Sequence, residues 1–99
     1  MFVLELTYTA PLARVDEALP DHVEWLKKEY AAGHFLAAGR KVPRDGGVIL
    51  AAGPDRATVE RIVAADPFVL AGVCEYRVTE FVATTTAPAL ERYREQLPS

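Results

Sequence analysis

The first strand organises the chain, and it reads Phe2-Val-Leu-Glu-Leu-Thr-Tyr8. Large apolar side chains occupy its even positions, whereas Glu5 and Thr7 lie at odd positions. Alternation with a period of two is typical of a strand with one apolar face. The segments that follow should therefore supply a layer that covers this face.

The next segment has the spacing of a helix. After Pro11 the apolar residues no longer alternate but recur every three or four positions, at Leu19, Val23, Leu26 and Tyr30. This spacing places them on one stripe of a helix. Asp16 suits the N-cap, and Gly33 suits the left-handed position just past the last turn. We therefore expect a helix that begins at Asp16 and ends before Gly33.

Two short apolar runs, residues 35–42 and 48–52, flank a segment from Pro43 to Gly47 that is rich in turn residues. This arrangement predicts a β-hairpin. A second helix is predicted at residues 58–63, with Asp55 as its N-cap. It should end near Ala65, because Pro67 disfavours a helical conformation at the residue before it. Residues 73–82 alternate again and predict a fourth strand.

The predicted order is βαββαβ. With right-handed crossovers, this order gives a four-stranded antiparallel sheet with both helices on one face, a ferredoxin-like α+β sandwich. We assign residues 1–83 to this domain. Residues 84–99 are expected to form a peripheral C-terminal arm, either a short helix or a frayed segment.

Composition limits the classes of partner. The 99 residues suffice for one domain, and 11 Lys and Arg against 14 Asp and Glu give a net charge of −3. This balance argues against nucleic acid or an anionic membrane surface as partner. The N-terminus lacks a basic, apolar signal peptide, and no apolar run approaches a membrane span. A single cysteine, Cys74, cannot form an internal disulfide, so we expect a cytoplasmic protein.

Two polar residues interrupt the apolar stripes of the helices. His22 lies three residues after Leu19 and four before Leu26, and Asp66 lies four residues after Ile62. Both helices cover the same face, so the imidazole and the carboxylate can meet and form an acid–base pair. The alternatives are a core histidine bonded to a backbone carbonyl, and an aspartate that caps the turn after Pro67.

The remaining polar groups carry weaker signals. Arg40, Lys41 and Arg44 surround the hairpin turn and form a positive rim suited to a carboxylate or phenolate, or simply solvated turn charges. His34 should be exposed. Cys74 alternates with core residues and is expected to be an inert buried thiol, with a nucleophilic role left open. Metal-ligand spacing is absent, so we expect no metal and no cofactor.

The sheet face that the helices leave open is half apolar. Val3, Glu5 and Thr7 alternate onto one side of the first strand, and Glu75, Arg77 and Thr79 do so on the last. A small core with such a face predicts a homodimer, with a ligand cavity between the subunits.

Several motifs resemble the YciI-like, or YCII-related, proteins of the dimeric α+β barrel group. They are Asp21-His-Val-Glu-Trp-Leu26, Ala32-Gly-His-Phe-Leu-Ala-Ala-Gly39, Asp45-Gly-Gly47 and, most specifically, Asp66-Pro-Phe-Val-Leu-Ala-Gly72. The resemblance extends over residues 2–82 and implies that His22 and Asp66 form an active-site pair. One relative of this type is a dehydrochlorinase of a chlorinated hydroxyquinol, and muconolactone isomerase is a more distant one. Arg40-Lys41 departs from the proline that many members carry there.

The resemblance and the residues together predict a cofactor-independent lyase or isomerase that acts on a small oxygenated or aromatic-derived molecule. His22 would act as general base and then acid, Asp66 would orient and charge it, and Arg40 would steer an anionic substrate. The alternative is a small-ligand-binding or interaction module without turnover, in which His22 and Asp66 only fix geometry.

Overall fold

The computed structural model describes residues 1–98. The elements follow in the order β1 (Phe2–Tyr8), α1 (Leu12–Ala31), β2 (Phe35–Arg40), β3 (Gly46–Ala51), α2 (Arg56–Ala64), α3 (Pro67–Leu70), β4 (Cys74–Glu80) and a 3₁₀ helix (Pro88–Tyr93). The four strands form one antiparallel sheet in the order β2-β3-β1-β4. This is the predicted ferredoxin-like α+β arrangement, with one additional short helix, α3.

The apolar face of β1 forms the floor of the core. Leu4 pairs with Ile49 on one side and with Val78 on the other, so it lies at the centre of the sheet. The same buried cluster includes Val15 of α1 and Val59 of α2. Both helices therefore cover one face of the sheet, as the alternation in β1 predicts.

The predicted start of α1 is wrong. The helix begins at Leu12, directly after Pro11, whose extended backbone (φ −58°, ψ 148°) ends the preceding segment, and no side chain caps it. Asp16 lies one turn inside the helix and accepts a hydrogen bond from Arg44 of the β2–β3 connection. This long-range ion pair leaves no local signal in the sequence. At the other end, Gly33 has φ +80°, which confirms the predicted left-handed position.

Close approach of two strands explains a glycine of the hairpin. A Cβ atom on Gly46 would lie 1.8 Å from the backbone oxygen of Leu6, so no larger residue fits beside β1. In contrast, a Cβ atom on Gly39 of β2 would have no heavy atom within 4 Å. The hairpin itself is confirmed, and it carries a register shift between Phe35 and Ala37.

Two aspartates begin the two helices of the second half. Asp55 Oδ1 accepts a hydrogen bond from the Thr58 backbone N–H at 2.9 Å and caps α2 as predicted. Helix α2 ends at Ala64, close to the expected end. Asp66 then caps α3, a single turn that begins with Pro67 and that the sequence predicted only as a turn.

Beyond the sheet, the chain returns to the edge of the core. Tyr93 packs against a small cluster formed by Met1, Ala52 and Ala83. Glu95 accepts hydrogen bonds from the Met1 ammonium at 2.7 Å and from the Ala83 N–H at 3.1 Å. The division of the chain at residue 83 stays a prediction. Within residues 1–98, no helix has the length and apolar character needed to cross a membrane.

Candidate functional site

His22 and Asp66, which are 44 residues apart in the sequence, meet beneath α1. The distance from His22 Nδ1 to Asp66 Oδ1 is 2.7 Å. Only 7 % of His22 and none of Asp66 is exposed to solvent. The two residues therefore form one buried hydrogen-bonded pair, because α1 lies against α3. Contrary to the prediction, Asp66 does not continue the stripe of the second helix, because α2 ends at Ala64 and Asp66 is the N-cap of α3.

The carboxylate of Asp66 has three hydrogen-bond partners. Oδ1 accepts from His22 and, at 2.9 Å, from the backbone N–H of Phe68. Oδ2 accepts from the hydroxyl of Tyr76 on β4. The bond to Phe68 is the N-cap interaction of α3. Asp66 is thus both the cap of α3 and the hydrogen-bond partner of His22.

The His22 ring is held between other aromatic groups. Its plane stacks on Phe68 with a centroid distance of 3.9 Å and an angle of 10°, and the Trp25 ring lies 5.5 Å away. Nε2 forms no hydrogen bond within residues 1–98. Two side-chain nitrogens of these residues are buried without a partner, Trp25 Nε1 and Arg44 Nε, and Nε2 of His22 is not among them. Solvent therefore reaches Nε2, while Asp66 occupies Nδ1.

His22 is one wall of a cavity of about 260 Å³ between α1 and the β3–β2 side of the sheet. Most of the lining is apolar or aromatic, which is typical of small-molecule sites. The large side chains that line it include Leu6, Tyr8, Leu19, Val23, Leu26, Tyr30, Ile49 and Phe68. The sequence predicts a cavity between two subunits, whereas this cavity lies within one chain.

The hairpin contributes one cation, Arg40, to the lining of this cavity. Arg40 has no ion-pair partner among residues 1–98, unlike the other two cations of the hairpin. Lys41 lies 3.8 Å from a carboxylate oxygen of Glu5, and Arg44 bonds Asp16. Two charges of the predicted positive rim therefore lie beside carboxylates, whereas Arg40 has no carboxylate within ion-pair distance among residues 1–98.

The other candidate groups lie outside this arrangement. The prediction that His34 is exposed is only partly right, because its Nδ1 bonds Glu29 at 2.8 Å and only 34 % of the side chain is exposed. Cys74 is buried, and burial together with the charges of Asp66 and Glu75 raises the pKa of its thiol to about 12. Residues 1–98 contain no group of three or more His, Cys, Asp or Glu side chains arranged to hold a metal ion.

Two residues of the site, Tyr76 and Phe68, are not predicted from the sequence. Tyr76 follows the inward alternation of β4 and resembles any core aromatic, although its hydroxyl reaches Asp66. Phe68 belongs to the Asp66-Pro-Phe motif, but nothing in the motif indicates that its ring stacks on His22. The one available signal is that a tyrosine on a buried strand face needs a hydrogen-bond partner.

Comparison with known proteins supports the same architecture. One solved structure similar to this chain is the 5-chloro-2-hydroxyhydroquinone dehydrochlorinase of Burkholderia phenoliruptrix AC1100, in complex with 2,5-dihydroxybenzoquinone. The TM-score is 0.65 at 19% identity, over 82% of this chain and 93% of the dehydrochlorinase. No curated protein sequence matches the chain significantly. The model of the YCII-related domain matches residues 1–82. The chain therefore belongs to the YCII-related domain family.

Proposed function

We propose that the chain is an acid–base enzyme that needs no cofactor and acts as a lyase or isomerase on a small oxygenated or aromatic-derived molecule. The observation that carries the proposal is the state of the His22 ring. Nδ1 is bound to the buried carboxylate of Asp66, and Nε2 is open at the wall of an apolar cavity. A group held in this way is oriented to accept and return a proton.

Asp66 fixes which nitrogen of His22 can act. An ionised carboxylate only accepts hydrogen bonds, so the proton of neutral His22 lies on Nδ1 and the lone pair of Nε2 points away from Asp66. When Nε2 takes a proton, the imidazolium that forms lies 2.7 Å from a negative charge in a buried site. The carboxylate therefore stabilises the charged intermediate state of the base.

Two reactions use this single proton transfer. In an isomerisation, Nε2 removes a proton from one carbon of the substrate and returns it to another. In a dehydrochlorination, Nε2 takes the proton, the C–H electron pair forms a C=C bond, and chloride leaves with the electrons of the C–Cl bond. The imidazolium then releases the proton to water. Neither reaction needs an electron acceptor. Because the similar structure is that of a dehydrochlorinase, dehydrochlorination should be tested first.

The surroundings of Nε2 favour a small, flat and anionic substrate. The cavity volume of about 260 Å³ limits the ligand to a small molecule, and aromatic walls suit a flat ring. Arg40 adds a positive charge at the wall, which attracts a carboxylate or phenolate. This charge would determine where the acidic end of the substrate lies relative to His22.

The experiment is a turnover screen over small phenolate, quinone and lactone compounds, including chlorinated hydroxyquinols, with wild type and His22→Gln compared on every compound. Loss of a general base should lower the rate by roughly 10²- to 10⁴-fold. The variant should keep a free energy of unfolding within about 1 kcal/mol of wild type, because glutamine can still donate to Asp66. A wild-type rate in the variant would refute the mechanism.

A ligand-binding module without turnover is the second candidate. The observation that favours it is that Asp66 also caps α3 and accepts a hydrogen bond from Tyr76. Asp66 therefore stabilises the fold whether or not the site catalyses a reaction. Compounds from the same screen should then bind without being converted.

We also propose a cytoplasmic homodimer, as the sequence predicts. The sheet face opposite the helices carries the half-exposed Val48 beside charged residues such as Glu5 and Arg77. A face of this mixed character supports pairing with a second copy. Sedimentation equilibrium of the purified chain measures the mass directly, and a monomer at all concentrations would exclude the dimer.

A further inference from the structure

We infer that Tyr76 is a positioning residue of the site: its hydroxyl holds one oxygen of Asp66 so that the other oxygen faces His22. This inference rests on the proposed function, because it assigns Tyr76 to the orientation of the proposed base. Tyr76 lies outside the cavity lining described above, so it acts through Asp66 and does not touch the substrate.

The two oxygens of Asp66 are held unequally. Oδ1 accepts hydrogen bonds from both His22 and Phe68, whereas Oδ2 accepts from Tyr76 and has no second donor among residues 1–98. Asp66 is completely buried, so bulk water cannot replace a missing donor at Oδ2. Within the described part of the chain, the hydroxyl of Tyr76 is therefore the one group that satisfies this oxygen.

The cap interaction alone does not fix the carboxylate. The terminal torsion of an aspartate side chain has broad, nearly two-fold wells, so the N–H of Phe68 can bond either oxygen as the group rotates. Asp55 illustrates the simpler case, since its exposed carboxylate caps α2 and accepts no hydrogen bond from a strand within residues 1–98. A second donor on the far side of Asp66 removes this rotational freedom, and Tyr76 provides it.

Tyr76 is suited to hold a fixed donor position. It lies on the edge strand β4, opposite Leu6 of β1 and within the paired part of both strands. Burial, together with the negative charge of Asp66, raises the pKa of its phenol far above the usual range, so the hydroxyl keeps its proton. The adjacent Cys74 also stays a neutral thiol, because its pKa is raised to about 12. The group that bonds Oδ2 is thus a permanent donor.

The test compares Tyr76→Phe with Val78→Ala in the full chain. Val78 lies two residues further along the same strand face and packs against the core. Its side chain cannot form a hydrogen bond with Asp66, so Val78→Ala measures the effect of looser core packing alone. The readout is the long-range ¹H–¹⁵N NMR spectrum of the His22 ring, which shows which nitrogen carries the proton and how fast that proton exchanges with water.

We expect Tyr76→Phe to speed exchange of the Nδ1-bound proton at least about tenfold and to populate the Nε2–H form. In metal sites, loss of a group that orients a metal-bound histidine through a hydrogen bond has effects of about 10- to 100-fold. Val78→Ala should leave both signals unchanged. With a substrate in hand, Tyr76→Phe should lower kcat about 10- to 100-fold with KM within about twofold. A His22 spectrum in Tyr76→Phe that equals wild type would overturn the inference.

Two controls keep the test decisive. If Tyr76→Phe does not fold, the hydroxyl proton of Tyr76 is observed in wild type, where slow exchange supports the inference and exchange as fast as that of the Tyr93 hydroxyl overturns it. If His22 in wild type carries its proton on Nε2, the proposed base is wrong. The Tyr76 inference is then still decided by the change between wild type and Tyr76→Phe.

Discussion

Replacement of Asp66 by alanine tests how much of the fold depends on the candidate site, and Asp55→Ala is its matched control. Both aspartates are N-caps that accept a backbone N–H two or three residues later at 2.9 Å. They differ in what else they hold. Asp55 lies at the surface, whereas Asp66 also bonds His22 and Tyr76 in the interior.

The structure sets the two magnitudes. Loss of an N-cap costs typically about 1 kcal/mol, which is the whole effect expected for Asp55→Ala. Asp66→Ala loses the same cap and also leaves two buried donors without an acceptor, each at about 1 to 3 kcal/mol. The sum is roughly 3 to 7 kcal/mol, a large part of the roughly 5 to 15 kcal/mol expected for a domain of this size.

The assay is urea unfolding followed by the fluorescence of Trp25, the single tryptophan, whose ring lies 5.5 Å from His22. We expect the midpoint of Asp66→Ala to fall well below that of Asp55→Ala, with equal slopes if both remain two-state. Free energies of unfolding that agree within about 1 kcal/mol would refute the claim that Asp66 satisfies three donors. The carboxylate would then be a cap and nothing more.

Three further predictions follow from the geometry. Gly46→Ala should abolish folding or lower the free energy of unfolding by at least about 3 kcal/mol, because its Cβ would lie 1.8 Å from the backbone oxygen of Leu6. Gly39→Ala should be tolerated, and thermal unfolding of both variants measures the difference. Cys74 should react with iodoacetamide at pH 8 about 10³-fold more slowly in the native state than in urea, because a pKa raised from 9.0 to about 12 lowers the thiolate fraction by about that factor. Equal rates in the two states would show that the thiol is not buried. Arg40→Gln should weaken binding of an anionic ligand about two- to fivefold, with the difference shrinking in high salt, whereas Lys41→Gln should not, and titration calorimetry measures both.

The sequence predicts the fold well because its local signals agree with the global arrangement. Alternation in β1, the left-handed Gly33 and the Asp55 cap each determine a local structure that the tertiary fold keeps. His22 was also predictable, since a polar residue on an otherwise apolar stripe indicates a position that faces the core. The shared sheet face predicts that His22 and Asp66 can meet, but Asp66 lies beyond the end of α2 and reaches His22 as the cap of α3.

The rest depends on contacts between distant segments. Asp16 resembles a helix cap in sequence, but its partner Arg44 lies 28 residues away, and a single sequence carries no sign of this bond. The hydroxyl of Tyr76 and the ring of Phe68 likewise reach the site only through the exact placement of β4 and α3. Arg40 is distinguished from Lys41 only because a neighbouring strand neutralises the latter.

The protonation of the His22 ring is decided by its long-range ¹H–¹⁵N spectrum, recorded for wild type and for Asp66→Asn. We expect neutral His22 to carry its proton on Nδ1 and to present an unprotonated Nε2 to the cavity. This preference should weaken when the carboxylate becomes an amide. A proton on Nε2 of wild-type His22, unaffected by Asp66→Asn, would rule out His22 as the base, because that nitrogen could not take a proton from a substrate.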